Sequence, residues 1–189
     1  MVTSVPAFKQ LFDVDGVWHT DAEGHIHVQG DLNMITQSTQ LWYQFAQVTG
    51  DFRVSRRGLM SLKGMPAEVG GSVYVSGNPL TNLDDCATHV KGSLYMTDMP
   101  KLQELTGFPL RVGRICHITW DENLPMLRCL AARFVDVQDR ELMTMQDYDR
   151  KNSCMEILNS EKWIGKGKQG MLNCALALKQ AGLGGNARW

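Results

Sequence analysis

The chain lacks the signatures by which most enzymes announce themselves. In 189 residues there is no GxSxG, no HExxH and no GxxxxGK[ST]. Serine-hydrolase, zinc-peptidase and P-loop chemistry therefore have no motif to stand on. The five cysteines, Cys86, Cys116, Cys129, Cys154 and Cys174, are odd in number and include no CxxC pair. That argues against a disulfide framework or a thiolate zinc site, and predicts reduced, mostly buried thiols in a cytoplasmic protein. No stretch approaches the ~18 apolar residues that a membrane span requires. The first 30 residues carry Asp13, Asp15, Asp21 and Glu23 without a long apolar run, unlike a secretory signal. A net charge of −1 advertises neither a nucleic acid nor a membrane as partner.

What is present is a repeat, and enough apolar content (43%) to bury a core. Leu59, Leu80, Leu102 and Leu124 follow one another at spacings of 21, 22 and 22, and Leu62, Leu83, Leu105 and Leu127 trail them by three residues. Val48, Val69, Val90 and Val112 form a further series, and Gly50, Gly71 and Gly92 stand two residues behind its first three members. Just after each glycine the apolar residues alternate: Leu32/Met34, Phe52/Val54, Val73/Val75, Leu94/Met96 and Cys116/Ile118. Period-two alternation marks a half-buried strand. One strand per 20–22 residues cannot pair with its own copy as a hairpin, so it must stack in parallel on the next unit.

One unit, Val73-x-Val75-x-x-Asn78-x-Leu80-x-x-Leu83, resembles the leucine-rich-repeat core LxLxxNxLxxL. The longer stretch "GLMSLKGMPAEVGGSVYVSGNPLTNL" is similar to the irregular repeats of small bacteriophage-encoded leucine-rich-repeat-like proteins of uncharacterised function. The resemblance covers roughly residues 30–130, and it implies that the asparagine side chain bonds backbone groups of its turn. Later units depart from the pattern: Met96 leads into Thr97-Asp98-Met99-Pro100, and Ile118 into Thr119-Trp120-Asp121-Glu122-Asn123, with no asparagine in register. Those turns must satisfy their backbone groups another way, and a short, distorted horseshoe is expected.

The expected fold is therefore α/β: a short irregular leucine-rich-repeat-like solenoid with an N-terminal β-hairpin cap and a C-terminal helical hairpin. Residues 1–30 would be the cap, 31–145 the solenoid and 146–189 the helices, all one structural unit. "VWHTDAEGHIHV" (17–28) reads as two strands around a turn, "LWYQFAQV" (41–48) as a short helix or turn. Helices are expected over 147–159 and 170–181, the second stopped by Gly182.

If Val73 and Val75 face inward, Tyr74 faces out, and the same logic exposes Arg53, Tyr95 and His117. Their spacings of 21, 21 and 22 place them in one column, neighbours ~4.8 Å apart, with Asn33 one step further on. Tyrosine and arginine anchor many protein interfaces, though stacked tyrosines also stabilise a parallel sheet by themselves. "GKGKQG" (165–170) has glycines and two lysines ahead of a helix. It reads either as a solvated turn or as an anion or RNA contact through Lys166, Lys168 and Arg188. Residues 146–189 carry net +3 against −4 for the remainder.

His25 and His27 share a strand face near His19, Asp21 and Glu23, a spacing able to chelate, but His-x-His alone is a weak signal, and neither metal nor cofactor is expected. Cys116 falls at an inward position, and the Asp84-Asp85 and Asp121-Glu122 pairs fall in turns. No catalytic residue is assigned. The expectation is a non-enzymatic protein-interaction module. Its resemblance to phage proteins implies a host or defence-system protein as partner, inside an infected bacterium. The alternatives are nucleic-acid binding through the C-terminal region and a metal-dependent hydrolase using His25 and His27.

Overall fold

A computed structural model describes residues 7–189. Around a short helix α1 (Phe8–Leu11) and an antiparallel hairpin, β1 (Phe12–Thr20) and β2 (Ile26–Met34), the chain begins to wind. It then forms β3 (Phe45–Val48), β4 (Phe52–Arg53), β5 (Glu68–Val69), β6 (Val73–Tyr74), β7 (His89–Val90), β8 (Leu94–Met96) and the long β9 (Arg111–Thr119). A 3-10 helix (Met126–Ala131), β10 (Ala132–Gln138) and two helices, α2 (Met145–Leu158) and α3 (Gly167–Gln180), complete the described chain. The result is a β-solenoid of about five turns, mostly of parallel strands, with helices at its C-terminal end.

The parallel stacking follows the repeat register. Phe52 pairs with Val73, Val73 with Leu94 and Leu94 with Cys116, and all four are buried. The valine series forms a second ladder, Val48–Val69–Val90–Val112, which the one-strand-per-unit expectation does not contain. Each middle turn thus contributes two short strands that meet at a corner, whereas β2 and β9 run through that corner unbroken. Full burial of each valine or leucine in these ladders contributes about 1.5–3 kcal/mol.

Glycine makes the corner possible. Gly50, Gly71 and Gly92 lie directly above one another, each N–H donating to the glycine carbonyl one turn earlier: Gly50 to Gly30 at 2.9 Å, Gly71 to Gly50 and Gly92 to Gly71 at 2.8 Å. A side chain here has no room, since a Cβ on Gly71 would lie 2.6 Å from the carbonyl carbon of Gly50. The residue after each glycine adds a second ladder. Asp31 Oδ1 accepts from Asp51 N (2.8 Å), Asp51 Oδ1 from Ser72 N (2.6 Å), Ser72 Oγ from Ser93 N (3.0 Å) and Ser93 Oγ from Ile115 N (3.3 Å). These side chains bond backbone groups that the bend leaves without strand partners.

The turn after β6 is held by a side chain. Asn78 is fully buried; its Oδ1 accepts from Arg57 N and Leu59 N, and its Nδ2 donates to Val54 O and Val75 O. The turn after β9 lacks such a residue and receives one from far along the chain. Asn186, also fully buried, donates from Nδ2 to Asp121 O and Leu124 O, both at 2.9 Å.

At the C-terminal end Asn159 closes the sheet: its Nδ2 donates to Val135 O and its Oδ1 accepts from Val135 N, both at 2.7 Å. One amide side chain thereby imitates a further strand against β10. Helix α2 starts two residues earlier than expected, because Thr144 and Asp147 form a reciprocal cap. Over 41–48 the helix alternative fails: the apolar residues are used by strand β3, with Phe45 buried against Phe12 (5.3 Å) and Phe52 (5.6 Å). Strand β2 also crosses the expected boundary at residue 30, since it pairs with β1 on one side and with β3 and β4 on the other. Among the described residues no helix is long and apolar enough to cross a membrane.

Candidate functional site: a stacked column on the solenoid face

The four residues expected in one outward column are in one column. Arg53 pairs in register with Tyr74, Tyr74 with Tyr95, and Tyr95 with His117, while Asn33 precedes Arg53. The rings lie face to face: Tyr74 and Tyr95 have centroids 4.4 Å apart and planes 3° from parallel, and Tyr95 and His117 4.3 Å and 7°. The Arg53 guanidinium covers the other face of Tyr74 at 5.1 Å from its centroid. Strand spacing imposes the stack, since parallel strands and ring stacking share nearly the same period.

Carboxylates clamp both ends. Arg53 pairs with Asp31 (2.7 Å) and with Asp51, the same two residues that hold the glycine corner. The Asp31 carboxyl is held below its ordinary range, chiefly by the hydrogen bond from Arg53. At the far end His117 Nδ1 lies 2.8 Å from Asp136 Oδ2, and Asp136 is its register partner on β10. Partial burial, followed by the charge of Asp51, raises the Tyr74 phenol. The column is half-buried throughout.

Lys166, Lys168 and Arg188 are exposed. Neither lysine forms a salt bridge among the described residues, while Arg188 donates to the backbone carbonyls of Gly185 (3.1 Å) and Asn123. Arg188 is thus spent partly on fastening the C-terminal segment.

The histidines of the hairpin do converge. His19 and His27 stack at 4.9 Å, and Asp21 Oδ2 lies 3.0 Å from His27 Nε2 and 3.6 Å from His25 Nδ1. The bond from His27 is the main reason the Asp21 carboxyl sits below its ordinary range. Ring nitrogens of His25 and His27 turn toward one carboxylate that also accepts the turn N–H groups of Glu23 and His25. Among the described residues no group of three His, Cys, Asp or Glu is arranged to hold a metal ion.

All five cysteines are free and buried. Burial pushes the Cys86 and Cys174 thiols up to about 12, and raises that of Cys154 further. Cys129 is raised mainly by its hydrogen bond with Cys116. The thiolate is the reactive form, so at pH 8 iodoacetamide is expected to label no cysteine in the native protein and all five after unfolding in guanidinium. Mass spectrometry reads the count; rapid native labelling of Cys116 or Cys129 would contradict this burial.

Three contributors to the site and its frame escape a reading of the strands alone. Asp136 lies beyond the last recognisable repeat, and Asn186 more than sixty residues from the turn it completes. The Asp31–Asp51–Ser72–Ser93 ladder could have been found, because each member follows a corner glycine at the repeat spacing.

Fold and face together define a two-strand-per-turn β-solenoid that carries a preorganised, ring-stacked surface. No family profile matches the chain, and neither a curated protein nor a solved structure proved similar to it.

Proposed function

We propose that the protein is a non-enzymatic interaction module that docks a partner protein on the column Arg53–Tyr74–Tyr95–His117. The observation that carries this reading is the clamped stack itself. Arg53 and two tyrosines, residue types that anchor interfaces, sit side by side in one stack whose arginine is held by carboxylates. Fixed side chains lose little entropy on binding, so contact area converts more fully into affinity. The bacteriophage resemblance extends the reading to a host or defence-system protein as partner, whose activity the module modulates.

Ring stacking also stabilises the sheet by about 0.5–1.5 kcal/mol per pair, so the test must separate folding from binding. Tyr74→Phe/Tyr95→Phe keeps the stack and removes the hydroxyls; Tyr74→Ala/Tyr95→Ala removes both. Immobilised wild type and variants are exposed to bacterial lysate, retained proteins are identified, and each candidate is remade and titrated against all three. The alanine pair is expected to weaken the genuine partner by about 2 kcal/mol or more, roughly thirtyfold, while circular dichroism shows it folded. A folded alanine pair that binds the purified partner as tightly as wild type would remove the column from the interface.

A further inference from the structure

A second surface lies where the solenoid meets the start of α3. There a hollow of ≈ 420 Å³ opens between the turn at Phe108–Leu110, the 3-10 helix, the loop at Trp163–Gly167 and Trp189. That volume is within the range of small-molecule sites, which combine apolar and aromatic walls with a few polar groups. Phe108 and Leu127 are buried in its floor, and Leu110, 75% exposed, stands at its rim. Trp163, half-buried and packed against the core, is held by its indole N–H, which donates to Ile157 O at 2.7 Å, and it contributes to the wall of the hollow. Trp189, 60% exposed, stacks one face on the Arg128 guanidinium, 4.9 Å from the ring centroid.

Arg128 carries the only ionisable side chain of this lining, and among the described residues it forms no salt bridge. Lys166 stands on the same loop with Lys168 just beyond it, both exposed and likewise without ion pairs. Glu104 borders an adjoining hollow with Arg128 and Arg188 but forms a salt bridge with neither. Two indoles, a phenyl ring and an uncompensated guanidinium thus meet around a cavity large enough for a ring system.

We propose that this hollow binds a small molecule joining one planar aromatic ring to an anionic group. The ring lies among Trp163, Trp189 and Phe108, and the anion pairs with Arg128, whose planar donors suit a phosphate or a carboxylate. Aromatic stacking supplies affinity irrespective of ring identity, and the guanidinium selects for charge.

Calorimetry on the full chain tests this with four probes. AMP and indole-3-acetate carry the two possible anions; adenosine and indole-3-ethanol are their uncharged counterparts. At least one anionic probe is expected to bind at sub-millimolar concentration and about tenfold or more tighter than its neutral counterpart. Binding of AMP alone marks the ligand as a phosphate ester, of indole-3-acetate alone as an aromatic carboxylate. Arg128→Gln is expected to abolish the charge preference. Leu110→Asp, at an exposed position where folding is undisturbed, is expected to weaken the anionic probe and spare the neutral one. The proposal fails if neither anion binds at up to about 5 mM, if each neutral probe binds as well as its anion, or if neither variant changes the preference.

Discussion

Replacing Asn78 by alanine is expected to lower the melting temperature by about 10 °C, at a cost of roughly 3–5 kcal/mol. The size comes from how much one side chain does. Its two donors and two acceptor contacts satisfy Val54 O, Val75 O, Arg57 N and Leu59 N, groups on two successive turns that lie away from the strand ladders. Alanine leaves all four behind, in a site that water does not reach. A buried polar group without a partner costs about 1–3 kcal/mol, so even partial relaxation leaves a large loss. Asn78→Asp discriminates further. It keeps the acceptor toward the two N–H groups but places a charge against the two carbonyls, so it is expected to be no better than alanine. Thermal unfolding by circular dichroism measures both; a shift below about 2 °C for Asn78→Ala would mean that the turn is not held through this amide.

Asn78 also shows where the sequence was informative. The leucines, valines and alternating residues recur at 21 or 22, and a regular spacing translates directly into register: the column from Arg53 to His117 follows from it. The second strand column was present in the same numbers, as the valine series, but two-residue strands are too short to show alternation of their own. Long-range substitution is a different matter. Asn186 does for the turn at Asp121–Leu124 part of what Asn78 does for its own, but from a segment outside the repeat, so no spacing could reveal it. The same holds for Asn159, which ends the sheet, and for Asp136, which clamps His117: both depend on how the C-terminal elements fold back. The helix alternative over 41–48 rested on the spacing of Leu41, Trp42 and Phe45, yet pairing of 45–48 with β2 and β5 offers the backbone more than an isolated turn of helix could.

Gly71→Ala is expected to destabilise the protein by about 2–3 kcal/mol, for a reason unrelated to backbone conformation. The added methyl would lie 2.6 Å from the carbonyl carbon of Gly50 and 2.7 Å from the amide nitrogen of Asp51, both backbone atoms fixed by the ladder. Successive turns must then separate, and the Gly71-to-Gly50 hydrogen bond lengthens. Gly184 is the fitting control: a Cβ there meets nothing within 4 Å, so Gly184→Ala should move the melting temperature by less than about 2 °C. The consequence for the face is the sharper part. Asp51 is shared, one oxygen accepting from Ser72 N at the corner and the other pairing with Arg53. A methyl at Gly71 presses on that carboxylate and so loosens one of the two carboxylates that hold Arg53, leaving Asp31 as the other. Gly71→Ala is therefore expected to weaken partner capture even at temperatures where it is fully folded, whereas Gly184→Ala leaves capture unchanged. If Gly71→Ala melts like wild type, the corner is not close-packed; if it melts early but captures normally, Asp51 does not transmit the corner to the face.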